Sequence, residues 1–220
     1  MSTQSATALS STPISSTAKG KTERTRDMLL AAGVRLFSQQ GYEGTSTRQI
    51  ETEAGVQRNL MTYHFGSKDA FWKACVEVID ARMNAMMAPA IAQSKDVEPR
   101  ERIRFLIRRY VRASAAIPEI SRIMFDEGRQ KSWRLQYLVE KQSRSFFAVV
   151  KQMFEEGRKQ GVIPDVPLIN FYYLMVASAT MFSMSAECEM LTGKKAQKES
   201  MIDMHADVMA KLLTQEVPTI

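Results

Sequence analysis

Between positions 57 and 64 the chain sets Gln57, Arg58, Asn59, Thr62, Tyr63 and His64 close together, each with a side chain that can donate a hydrogen bond. An arginine fork fits the O6 and N7 edge of guanine, and an asparagine amide fits adenine, so Arg58 and Asn59 are the candidates for reading bases. Thr62, Tyr63 and His64 add donors to a surface that can read bases and grip phosphates. Upstream, Thr47 and Arg48 stand where a preceding helix would meet the same backbone. Downstream, Lys68 adds a positive charge to a helix start whose amides already favour an anion. A surface salt bridge for Arg58, and a packing role for Tyr63 and His64 beside Phe65, are the competing structural readings.

These side chains need a frame, and the flanking residues supply one. Leu29, Ala32, Gly33, Leu36 and Phe37 recur at helical spacing, which predicts a first helix over Thr22–Gln40 with one buried face and Gly41 at its end. Ser46 stands three residues before Gln49, the capping-box spacing, so a short second helix starts there and buries Ile50 and Ala54. Gly55 permits a left-handed turn and Val56 wedges between helices. A third helix is expected from Gln57 to Tyr63, held down by Leu60 and Met61. Ser67 is a good cap for a fourth.

The order GxxxTxTRxI, AGV, YHFxSK, carried by Gly41, Thr45, Thr47, Arg48, Ile50, Ala54, Gly55, Val56, Tyr63, His64, Phe65, Ser67 and Lys68, resembles the TetR family of bacterial transcription regulators. The resemblance covers the first third of the chain. It implies an all-α fold, with a three-helix helix-turn-helix domain followed by a larger helical domain for ligand binding and dimerisation. Gln57, Asn59, Leu60 and Thr62 depart from the family's usual residues.

Composition adds bounds. The 220 residues are 45% hydrophobic and 25% charged, as in a globular protein with a sizeable core. The net charge is +6, yet residues 1–70 hold eight basic against six acidic side chains, so the motif rather than bulk charge carries the nucleic-acid reading. Residues 1–20, rich in Ser, Thr and Ala with a single Lys19, read as a disordered tail without the features of a signal peptide. The expected division is therefore tail 1–20, DNA-binding domain 21–67 and helical domain 68–220. Cys75 and Cys188 are too few for a disulfide framework and read as buried thiols in a cytoplasmic protein.

Beyond Lys68 no strand alternation appears. A fourth helix is expected from Asp69 to Ala88, closed by Pro89 and the SKDVEP loop. A fifth, Arg100–Ala116, buries Ile103, Leu106, Ile107, Tyr110 and Val111 and lines Arg104, Arg108 and Arg112 along a solvated face, with an anionic ligand or the flank of DNA as the competing readings of that stripe. Pro118 opens a sixth that ends near Gly128. A seventh, Ser132–Gln160, shows Leu135, Leu138, Gln142, Phe146, Val149 and Met153 to the core.

Val166–Ala186 lacks charge but holds too many polar residues for a confident membrane span, so it is expected to be a covered helix. Its Leu168, Phe171, Tyr172, Met175 and Phe182 face the protomer's core, while Ala177, Ser178, Met181 and Ser185 face a partner. On a last helix, Ala196–Leu213, the stripe Met201, Met204, His205 and Val208 joins the same interface. Two such helices from each protomer form a four-helix bundle. The resemblance implies the same dimer.

No HExxH, CxxC, GxGxxG or GxxxxGK[ST] pattern is present, and neither His64 nor His205 stands in a recognisable catalytic arrangement. The expectation is a non-enzymatic regulator without metal or cofactor. It would be a homodimeric repressor on a near-palindromic double-stranded DNA operator, with recognition helices about 34 Å apart, released by an unknown small-molecule effector. Phe105, Tyr110, Phe125, Tyr137, Tyr172 and Met175 are the expected pocket. The alternative is a helical interaction module that its helix-turn-helix merely localises to DNA; a closed cavity favours the regulator, whereas a solid core with an exposed Met-rich patch favours the module.

Overall fold

The computed structural model describes residues 15–215, and the described residues form helices joined by turns, with no strand. α1 (Ser15–Gly44) begins earlier than expected. The tail's residues 15–20 belong to it, and residues 1–14 lie outside the described ones. At Gly41 the backbone turns non-helical, with φ of 70°, and a Cβ there would stand 2.6 Å from an Asp126 carboxylate oxygen. Gly41 is thus both the break in α1 and the point where α6 comes close.

α2 (Thr47–Glu53) starts on the expected capping box: Ser46 accepts from the Gln49 amide, and the Gln49 side chain reaches back. Gly55 takes the left-handed turn with φ of 64°. α3 (Leu60–Phe65) is shorter than expected because Asn59 adopts a left-handed conformation, φ 67°, and so leaves Gln57 and Arg58 in the turn before it. α4 (Lys68–Gln93) is capped by Ser67, as expected, but continues through Pro89. The proline removes one intrahelical hydrogen bond, to the carbonyl of Ala85, and burial of Ala90 in the next core layer holds the helix beyond it.

α5 (Pro99–Ala116) and α6 (Pro118–Glu127) fall where expected. The expected seventh helix is a helical run in three pieces: α7 (Trp133–Leu138), a π-turn over Val139–Ser143, and α8 (Arg144–Lys159). The wide turn shifts the buried face by one position, so that Val150 is buried and the expected Val149 is exposed.

The uncharged stretch is not one helix. It is divided into α9 (Leu168–Ala177), α10 (Thr180–Ser183) and α11 (Ser185–Thr192), with a 69° bend before α11. No single helix among the described residues is long and apolar enough to cross a membrane. α12 (Glu199–Leu212) packs mainly along α5.

Among the described residues three apolar clusters hold the helices together. The first joins α1, α2 and α3 to Phe71, Trp72, Val76 and Ile79 of α4 and takes in Ile123 of α6 and Leu138 of α7. The second gathers α5, α8, α9 and Ala210 around Ile107 and Phe171. The third is smaller and sets Phe182 against Val111 and Ala206. Gly33 shows how closely α1 meets α4: a Cβ there would lie 2.5 Å from the Phe71 ring.

The Arg104, Arg108 and Arg112 stripe is not simply solvated. Arg108 pairs with Asp207 at 2.6 Å, Arg112 with Glu199 at 2.6 Å and with Asp203, and Arg104 donates to the Thr214 hydroxyl at 3.0 Å. It forms a charged seam that fastens α12 to α5, matched by acidic residues at the same spacing on α12.

A candidate DNA interface on α2, α3 and the start of α4

Each candidate contact residue sits on a short element that a buried neighbour fixes. Ile50 and Met61 are fully buried and anchor α2 and α3 in the first cluster. A buried carboxylate joins them: Glu51 on α2 accepts from the Met61 backbone N–H at 3.0 Å, and so satisfies one of the free donors at the start of α3. Sequence reading missed Glu51, which looks there like one more surface charge. Thr45 is also buried, and its hydroxyl donates to the Gly41 carbonyl at 2.8 Å, closing the turn between α1 and α2.

Outside this frame the donors are presented together. Arg48, Gln57, Arg58, Asn59 and Thr62 are exposed, Tyr63 is 79% exposed, and Thr47 and His64 are half-buried. Tyr63 is set edge-on to His64, which in turn meets Phe65, so the helix presents Tyr63 outward while Phe65 packs inward against Phe71. Arg58, with Gln57 and Asn59, lies in the turn that leads into α3 rather than on the helix.

Lys68 is held differently from the rest. Its ammonium lies 4.0 Å from the centre of the Tyr42 ring, and burial pulls its pKa below the ordinary value. The guanidinium of Arg134 from α7 lies 4.3 Å from the same ring. Tyr42 also donates its hydroxyl to Asp69, and burial followed by that hydrogen bond pushes its pKa up to about 12. Arg134 is anchored on buried Glu127 at 2.6 Å and reaches Glu43 at 3.2 Å, while Trp133 packs edge-on to Trp72. The larger helical part therefore grips the DNA-binding unit at the root of Lys68.

The expected pocket residues do not meet at one cavity. Tyr110, Phe105, Tyr172 and Met175 pack in the second cluster, where Tyr110 stacks on Phe146. Phe125 is exposed, and Tyr137 packs in the first cluster and donates to Glu77. Apart from Phe125, these aromatic residues fill core.

The expected interface also divides. Ser178 is buried within the protomer, with its carbonyl 2.8 Å from His205 Nε2, and Met201 is buried as well. Met181 is half-buried in the third cluster. Met204 and Val208 are exposed, Ala177 is exposed, and Ser185 is half-buried. Both sides of α12 carry apolar residues, so their spacing does not say which side meets the protomer's own core.

Among the described residues no cluster of His, Cys, Asp and Glu fits a metal ion. Cys75 is buried, and burial raises its thiol pKa, whereas Cys188 is only half-buried. A short helix pair across a left-handed glycine turn, fixed from behind and crowded with donors in front, defines a helix-turn-helix unit.

Residues 29–75 match the family described as "Bacterial regulatory proteins, tetR family". The chain is 31% identical over 164 residues to the HTH-type transcriptional repressor NicS of Pseudomonas putida, covering 73% of this chain and 76% of that protein. Among solved structures, a mutant of the hemolysin II transcriptional regulator HlyIIR aligns with a TM-score of 0.68 at 21% identity, over 89% of this chain and 100% of that one. AibR in complex with isovaleryl coenzyme A and operator DNA aligns with a TM-score of 0.65 at 18% identity, over 86% and 97%. The chain belongs to the tetR family of bacterial regulatory proteins and is a DNA-binding transcriptional regulator.

Proposed function

We propose that the protein is a homodimeric repressor that binds a near-palindromic operator and leaves it when a small molecule binds the helical domain. The observation that carries the DNA side is the exposure of Arg58, Asn59 and Tyr63 on a unit whose rear is fully buried. In this reading Arg58 and Asn59 read bases. Thr47, Arg48, Gln57, Thr62, Tyr63, His64 and Lys68 grip the backbone on either side.

Dimerisation is supported by apolar side chains left outside the protomer: Ile169, Tyr173 and Leu174 on α9, and Met204, Val208 and Leu212 on α12. A second copy covers them in a four-helix arrangement. A domain boundary near residue 67 follows the functional division, although α4 belongs to the cores on both sides of it. AibR, a solved relative in fold, was crystallised with both isovaleryl coenzyme A and operator DNA, which supports a ligand-responsive reading here.

The test is binding of the purified protein to fragments of its own genomic neighbourhood at stated salt, with Arg58→Ala and Tyr63→Ala in parallel. Tight, palindrome-specific binding that both variants lose supports the reading. Weak, sequence-indifferent binding would instead favour the interaction-module reading, for which Met190 and Leu191, 89% and 77% exposed on α11, are the observation in favour.

A further inference from the structure

We propose that the cleft between α4, the C-terminal half of α5 and the start of α12 is an effector site, and that it takes a small organic anion with one carboxylate on a short apolar body. This rests on the ligand-responsive reading above and gives it a place and a ligand chemistry. The cleft has a volume of about 400 Å³, at the lower end of the size range of small-molecule sites. Met86, Ala115, Ala116 and Ile202 give it apolar walls, and the two alanines keep it open.

The polar wall is made by Arg109, Arg112, Gln197 and Glu199, and its members are not equally engaged. Arg112 is matched by Glu199 at 2.6 Å and by Asp203 behind it. Gln197 is tied to the Phe182 carbonyl at 3.2 Å. Arg109 is exposed and forms no ion pair among the described residues; its guanidinium lies over the Phe105 ring, 6.0 Å from the centre. An arginine fork with free donors on an otherwise matched, apolar-walled cleft selects a carboxylate, which it can hold by two parallel hydrogen bonds. A neutral amide of the same shape keeps at most one of those bonds and loses the charge.

The position of the cleft supplies the regulatory link. Met86 belongs to α4, the helix that begins with Lys68 in the DNA-binding unit, whereas the other walls belong to α5, to Gln197 just before α12 and to the first turn of α12. A ligand touching all three binds one arrangement of α4 against α5 better than another, which is what a shift in operator affinity requires.

Hexanoate and its uncharged counterpart hexanamide are the probes, titrated calorimetrically into the full-length protein, into Arg109→Gln and into Ala116→Leu. The expected result is that hexanoate binds the wild type, hexanamide binds about tenfold more weakly, and Arg109→Gln removes that preference. Ala116→Leu weakens both by filling the cleft. Equal affinity for acid and amide, an unaltered preference in Arg109→Gln, or no binding of hexanoate would overturn the site.

Operator binding, followed by fluorescence anisotropy, separates the site from the regulator reading. Arg109→Gln keeps wild-type operator affinity without ligand, and hexanoate lowers that affinity in the wild type only. Hexanoate binding through Arg109 with no change in operator affinity would overturn the effector role. A wild type that recognises no operator would defeat the ligand-released repressor reading while the acid-to-amide preference still reports on the cleft.

Discussion

Among the described residues, arginines join helices in two contrasting settings. On the α5–α12 seam, Arg108 and Arg112 remain 36% exposed, and each meets acidic residues that water also reaches. At the junction with the DNA-binding unit, Arg134 is 15% exposed, is paired with a Glu127 carboxylate that is 6% exposed, and covers one face of Tyr42. Exposed pairs of the first kind contribute little because water and salt compete for them. Breaking a pair of the second kind leaves a charge stranded in a low-dielectric setting. The same residue type is therefore a replaceable fastener in one place and a structural linchpin in the other.

The comparison is sharpest for Arg134→Gln, which strands Glu127 and uncovers Tyr42. Denaturant unfolding should show a loss of about 3 kcal/mol. A loss as small as that of a surface pair would erase the distinction. Replacing Arg134 by Met together with Glu127 by Leu removes both charges and should recover much of that loss.

Glu51→Ala tests whether buried carboxylates stabilise the recognition unit as well. It leaves the Met61 amide without its partner and should cost about 2 kcal/mol. Hydrogen exchange at α3 should rise, whereas a uniform rise across all helices would argue against a local role.

Alkaline pH probes the junction directly. The Tyr42 pKa lies near 12 in the folded protein against an ordinary 10.0, so the neutral phenol is the form that folding favours. Its contribution to stability is complete below pH 10 and disappears as the pH rises through 12. Tyr42→Phe should flatten that part of the pH–stability curve; Tyr137, also raised to about 12, leaves a remaining slope. An unchanged profile would show that Tyr42 titrates alike in both states.

The smallest effect belongs to the seam. Arg108→Gln should shift stability by no more than about 1 kcal/mol, and less in high salt. A loss comparable to that of Arg134→Gln would show that α12 depends on its charges rather than on Met201, Ala206 and Ala210 beneath them.

The recognition unit was legible because each of its features is a local event. The Ser46–Gln49 box, the Gly55 turn and the Ser67 cap each satisfy backbone groups within a few residues, and the structure has all three where the spacing puts them. The errors lie where distant packing competes with local preference. Pro89 marks a helix end locally, yet α4 passes through it. Asn59 reads as helix locally, yet its left-handed backbone delays α3. The expected pocket residues are divided between two clusters and the surface, because aromatic residues look alike in a cavity wall and in a filled core.

By itself the sequence determined the helical class, the helix-turn-helix unit and the family resemblance, since periodicity, caps and turn glycines act over a few residues. Only the tertiary structure decided which arginines are buried, which face of α12 is spent inside the protomer, and where a cleft stays open. Those outcomes depend on residues far apart in the chain meeting in space. Arg134 beside Tyr42 and Arg112 beside Glu199 are pairs that no short window contains.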